Sequence, residues 1–86
     1  MVKINTATRV FDSDELKQAN IKHIIKTVDA ALKQRGYNSV TQLVGYLTTN
    51  DPAYISSYQN ARTLIQTVDR DEILKEMVRS YLEKDE

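Results

Sequence analysis

GYNSVTQLVGYLTTNDPAY, residues Gly36 to Tyr54, holds both glycines and the only proline of an 86-residue chain, and so most of what constrains its backbone. Gly36 follows a long amphipathic run and suits the left-handed residue that closes a helix. Ser39, with Gln42 three residues on, reads as a capping box opening the next one. Val40, Leu43, Val44 and Leu47 then fall at the i, i+3, i+4, i+7 spacing of one buried helical face. Gly45 lies inside that helix, where glycine costs up to about 1 kcal/mol relative to alanine, so something must approach the backbone there. Either an intrachain crossing or a contact between subunits would use it. The polar run Thr48, Thr49, Asn50 breaks the stripe, and Asp51-Pro52 restarts a helix with Asp as N-cap and Pro at its first position.

Working outward, a first long helix is expected from Asp14 to Arg35, capped by Ser13 or Asp14, with Ile21, Ile24, Ile25, Val28 and Leu32 as its stripe. Lys22, Lys26 and Lys33 fall on the other side. His23 also points away, about 200° from Ile21, and reads as a solvated side chain with no second histidine or cysteine to join it. Beyond Pro52, Tyr54 and Ile55 make a short helical turn. A fourth helix starts near Ser57, with Tyr58, Ala61, Leu64, Ile65 and Val68 on one face. Asp69 to Glu72, DRDE, repeats the capping logic and opens a last helix carrying Ile73, Leu74, Met77, Val78, Tyr81 and Leu82. The expectation is an all-α bundle of five helices, residues 13–86, preceded by an arm over residues 1–12 that has no helical period.

Hydrophobic residues make up 41% of the chain, and no strand-like alternation occurs. A domain this small buries a modest share of its surface, so self-association would help it, and a homodimer is expected. Five of the six aromatic residues are tyrosines, which suit core edges and interfaces alike. Formal net charge is zero and the pI is near 6.6, which disfavours a generic binder of nucleic acid or of membrane surfaces. The absence of cysteine removes disulfides, thiolate nucleophiles and zinc-thiolate sites. No signal-peptide core or membrane-length apolar run is present, so the expected location is the cytoplasm, without membrane insertion.

Catalysis would need a nucleophile with its base, paired carboxylates in a cleft or a phosphate loop. The acidic residues gather instead at helix starts (Asp12, Asp14, Glu15; Asp51; Asp69, Asp71, Glu72) and in the tail, where they complement dipoles and aid solubility. No enzymatic activity and no cofactor or metal are expected. One alternative is a helix-turn-helix made by Val40 to Leu47 and Tyr58 to Val68, with Gln59, Asn60 and Arg62 reading bases. Against it, Arg62 is the only cation between Ser39 and Asp69.

GYN, Q-hydrophobic-VGY, DPAY, Y-x-NAR, RDEI and VRxYL occur in that order from Gly36 to Leu82, and together they resemble the IreB family of bacterial regulatory phosphoproteins. In the first helix the similarity is one of pattern. The resemblance implies a small helical homodimer without catalytic activity. It also implies phosphorylation by a membrane Ser/Thr kinase with extracellular PASTA repeats, reversal by a cognate phosphatase, and a downstream protein in cell-envelope stress signalling. The phosphoacceptors it implies are threonines of the arm in a pattern like Thr-x-x-Thr-x-x-Phe. With Phe11 as anchor, Thr8 takes the second threonine; Asn5 stands at the first, and neighbouring Thr6 is a shifted candidate. Ser39 and Ser56 stand where the family commonly has proline, which softens helix boundaries without changing the fold.

Overall fold

A computed structural model describes residues 13–84. Among these are four α-helices, α1 (Ser13–Gln34), α2 (Ser39–Thr49), α3 (Ala61–Ile65) and α4 (Arg70–Lys84), with single 3-10 turns at Pro52–Tyr54 and Tyr58–Asn60 and no strand. The all-α expectation holds, but with four helices where five were expected.

Helix α1 forms as its stripe requires: Ile21, Ile24, Val28 and Leu32 are buried, joined by Ala31, with Ile25 half-buried beside them. It ends at Gly36, whose φ of +83° lets Tyr37 N–H reach back to Leu32 O (3.0 Å) and Gly36 N–H to Lys33 O (2.9 Å). That paired bonding is a Schellman closure, and it satisfies two carbonyls the helix would leave orphaned.

At the start of α2 the expected capping box is replaced. Asn38 is the N-cap, its side chain accepting from Thr41 N–H at 3.0 Å. The two box residues are engaged elsewhere: the buried Ser39 hydroxyl donates to Asp29 Oδ1 on α1, and Gln42 Nε2 donates to Tyr54 O at 2.9 Å. The buried face is also rotated from the expected one. Ser39, Leu43, Tyr46 and Leu47 face inward, while Val40 and Val44 are 70% and 53% exposed. Both sets are legitimate helical stripes that share Leu43 and Leu47. The Ser39–Asp29 hydrogen bond and the burial of Tyr46 select between them.

The chain leaves α2 through left-handed Asn50 (φ 63°), whose N–H bonds Tyr46 O at 2.7 Å. Asp51 then caps as expected, accepting from Ala53 N–H at 2.9 Å, with Pro52 at the first position. Only one 3-10 turn follows, because Ile55 is extended and fully buried. This turn lays the ring of Tyr54 on Gly45, so the glycine serves an intrachain contact, though with an aromatic ring and not a crossing helix.

The expected fourth helix from Ser57 is broken. Gln59 and Asn60 are left-handed (φ 52° and 64°), and α-helix resumes only at Ala61. The kink lets Tyr58 lie under the Arg35 guanidinium (5.2 Å) while Ala61 and Ile65 enter the core and Arg62 Nε bonds Ile55 O at 2.8 Å. Helix α3 stops at Ile65, its last carbonyls taken by side chains: Gln66 Nε2 bonds Arg62 O (3.0 Å) and Thr67 Oγ1 bonds Leu64 O (2.7 Å). Asp69 precedes α4 and its carbonyl accepts from Glu72 and Ile73 N–H. Of the apolar face expected on α4, Ile73 is buried and Met77 half-buried, but Leu74, Val78, Tyr81 and Leu82 are exposed. The buried partner of Ile73 is instead Glu76.

A Cβ at Gly45 would lie 2.4 Å from Tyr54 Cδ1 and 2.5 Å from Cε1, so Gly45→Ala must displace the ring. Despite alanine's better helix propensity, thermal or urea unfolding should show a loss of about 1 to 3 kcal/mol. Most of it should vanish when Tyr54→Ala is combined with it.

The Ser39 hydroxyl, foremost, holds the Asp29 carboxyl below its ordinary value; desolvation opposes it, and Lys33 and then Lys26 add lesser lowering contributions. A depressed carboxyl contributes stability that is complete above its unfolded pKa, near 3.8, and is lost as pH falls through the lower folded value. Ser39→Ala should therefore lose about 1 kcal/mol at neutral pH. Its acid limb, followed by circular dichroism from about pH 4 down to pH 2, should be shallower than that of the parent chain.

Candidate functional site

The threonines singled out in the sequence, Thr6 and Thr8, and the rest of the arm over residues 1–12 lie outside the described residues. What the fold positions is the platform on which that segment is mounted, the first turns of α1 from Ser13. There Asp14 and Glu15 sit in the first turn, and both are exposed. Lys17, the nearest described cation, pairs at 3.9 Å with Glu72 of α4, which also meets Lys75 at 3.7 Å.

This pair begins a polar seam along the line where α1 packs on α4. Further along, Glu76 is only 5% exposed yet fully partnered. Lys22 Nζ lies 3.7 Å away, Arg79 Nη1 donates to Oε1, and Ser80 Oγ donates to Oε2 at 3.1 Å. A buried carboxylate with two cations and a hydroxyl is a satisfied structural charge. Sequence reasoning missed it, although its spacing from Ile73 places it on the inward face of α4.

Other side chains capable of chemistry do not converge. His23 is exposed on the outer side of α1, as expected. Among the described residues there is no group of three or more His, Asp or Glu placed to hold a metal ion. A cleft of about 590 Å³ opens at the start of α4, where Tyr46, Asn50, Asp69, Arg70, Asp71 and Leu74 are among its lining. Its charged residues, Asp69, Arg70 and Asp71, are those that open α4. Thr48 and Thr49 lie in α2 with their hydroxyls donated to Val44 O (2.8 Å) and Gly45 O (2.7 Å).

The residues of the helix-turn-helix alternative are not brought onto one helix. Gln59 and Asn60 occupy the left-handed kink, and Arg62 Nε is committed to Ile55 O. No recognition helix runs from Tyr58 to Val68, since α3 spans five residues.

The family model described as IreB regulatory phosphoprotein matches residues 6–83. The chain belongs to the IreB family. The matched span includes both Thr6 and Thr8 and reaches nearly to the end of α4. A relative from Ruminiclostridium cellulolyticum, called a UPF0297 protein, is 43% identical over 76 residues, which cover 88% of this chain and 86% of the relative. Among the described residues of this IreB-family chain, no helix is long and apolar enough to cross a membrane.

With one tethered cation in the Ser39 to Asp69 region, mixed-sequence duplex DNA should show no binding in a fluorescence-anisotropy titration at about 50 mM salt, where even non-specific binders register. Binding that weakens steeply as salt rises would restore the nucleic-acid reading.

Proposed function

We propose that this IreB-family chain is a non-enzymatic regulatory phosphoprotein of the cytoplasm. A PASTA-type Ser/Thr kinase phosphorylates Thr8 in the arm, with Thr6 a second acceptor, and a cognate phosphatase reverses the reaction. The chain acts as a homodimer, within cell-envelope stress signalling, on a downstream protein partner. The observation that carries this reading is the family match, which covers the chain from residue 6 and takes in both threonines. A kinase cleft needs an extended, accessible segment. Thr48 and Thr49 offer none, being helical and hydrogen-bonded through their hydroxyls, which favours acceptors outside the helices.

Phosphorylation of Thr8 adds a charge of about −1.5 to −2. Asp14 and Glu15 repel it, while the α1 dipole and Lys17, itself shared with Glu72, attract it. Each exposed contribution is worth roughly 0.3 to 1 kcal/mol, so they nearly cancel, and the helical core does not refold. The modification changes which protein recognises the arm.

Incubation with a PASTA-type kinase followed by mass spectrometry should place phosphate on Thr8. Phosphate confined to Thr48 or Thr49, or none, would defeat the site. Helical circular dichroism and sedimentation should be the same before and after phosphorylation, and a loss of either would defeat the mechanism.

A further inference from the structure

Among the described residues, the buried side chains that carry a polar group are Ser39, Glu76 and Tyr46. The first two are hydrogen-bonded, Ser39 to Asp29 and Glu76 to Arg79 and Ser80. Tyr46 is 3% exposed, yet its hydroxyl makes no hydrogen bond to any described residue. Nor is that hydroxyl sealed in, since no unpartnered side-chain nitrogen or oxygen is cut off from solvent. Tyr46 lines the cleft of about 590 Å³ at the start of α4, and its free hydroxyl opens there. A buried tyrosine ordinarily pairs its hydroxyl, so an unpaired one facing a cleft marks a hydrogen-bonding position for a group from outside.

The rest of the lining says what that group is. Asp69 and Asp71 carry carboxylates that take no hydrogen bond and no ion pair among the described residues. Gln66 donates Nε2 to Arg62 O, which leaves its Oε1 as a further acceptor. Arg70, the cation of the lining, is tied by Nη1 to Leu47 O at 3.0 Å and pairs with neither carboxylate. Two carboxylates against one anchored guanidinium leave the cleft negative, and the α4 dipole offsets only about half a charge of that. An anion is therefore refused, and a neutral group leaves the carboxylates unmatched. Leu74, 43% exposed, and half-buried Val68 give the lining an apolar part.

We propose that this cleft receives an arginine side chain of a partner protein. The alkyl stem lies on Leu74 and Val68, the guanidinium donates to Asp69 and Asp71, and the Tyr46 hydroxyl accepts a further N–H. Arginine suits the site better than lysine, because five donors in a rigid fork serve several acceptors at once and an ammonium is a single point. The volume lies within the roughly 300 to 1,000 Å³ of pockets that enclose small organic groups. The site belongs to the helical core and does not depend on phosphorylation of the arm.

The isotope-labelled full chain, titrated with N-acetyl-arginine methylamide and followed by heteronuclear NMR, tests the proposal. Amide shifts should gather at Asn50 and from Val68 to Leu74, with a Kd on the order of 1 mM for so small a probe. Tyr46→Phe removes an atom that bonds nothing in the described chain, so the unfolding midpoint should stay where it is while binding weakens about threefold to tenfold. Asp71→Asn should weaken binding about tenfold, and so should the uncharged citrulline analogue of the probe. No shift at millimolar concentration overturns the proposal. So do shifts scattered over the exposed acids at the start of α1, and binding that neither substitution weakens. A lowered midpoint in Tyr46→Phe would show the hydroxyl already bonded within the chain and removes the site. Tighter binding of spermidine than of the arginine probe overturns the assignment to a protein side chain and gives the cleft to a polyamine.

Discussion

The ring of Tyr54 lying on the bare α-carbon of Gly45 is the contact through which the second half of the chain is placed. It joins residues nine apart in sequence, so little loop entropy opposes it. It reverses the chain after α2, and the hydrogen bond from Gln42 Nε2 to Tyr54 O fixes the backbone at the same point. The next residue, Ile55, is thereby driven fully into the core, and its carbonyl becomes the anchor for Arg62 Nε. Ala61 and Ile65 follow into the same core against Val28 and Leu32. The helix-propensity cost of Gly45, about 1 kcal/mol, is offset by the ring it admits.

Features written in neighbouring residues were legible in the sequence. The α1 stripe, its closure at Gly36 and the Asp51-Pro52 restart all follow from contacts within five residues. Features that depend on which face the remaining chain covers were not. Val40 and Val44 share a helical period with Leu43 and Leu47 as well as Ser39 and Tyr46 do, and the rotation is settled by the hydrogen bond to Asp29, ten residues away, together with the burial of Tyr46. The break at Gln59 and Asn60 carried only half a signal: asparagine visits φ above zero more readily than most residues, but glutamine has no such preference. Expecting one helix from Ser57 to Val68 was the consequence. As for function, periodicity carried none of it: Thr8 and Thr6 entered through the resemblance of short motifs to the IreB family.

Polar groups inside so small a core need a reason, and Glu76 supplies one. Burying a carboxylate rarely adds net stability over an apolar residue of the same size. What it adds is discrimination, since Lys22 approaches from α1 and Arg79 and Ser80 from α4 itself. Sliding α4 by one turn toward the start of α1 would set Gln18 where Lys22 stands and leave the buried charge one cation short, whereas an Ile–Met seam would tolerate the slip. The Lys17–Glu72 pair, one turn nearer the start of both helices, repeats the same register with exposed groups.

That fixed register separates two regions of the molecule. At one end, α1 begins with exposed acids whose interactions with any added charge are screened and mutually opposed. Elsewhere, α4 and α2 carry exposed apolar residues, and α2 has no charged residue anywhere between Ser39 and Thr49. The polar contact that leads from the first region to α4 is the Lys17–Glu72 pair, and it is solvent-screened. The Ser39–Asp29 bond and the Glu76 cluster are both internal to the packing of α1 on its neighbours, and both are already satisfied. On the proposed reading, a covalent charge on the arm meets only screened contributions at the start of α1, which leaves recognition of the arm by a protein partner as its effect and the helices as an unchanged scaffold.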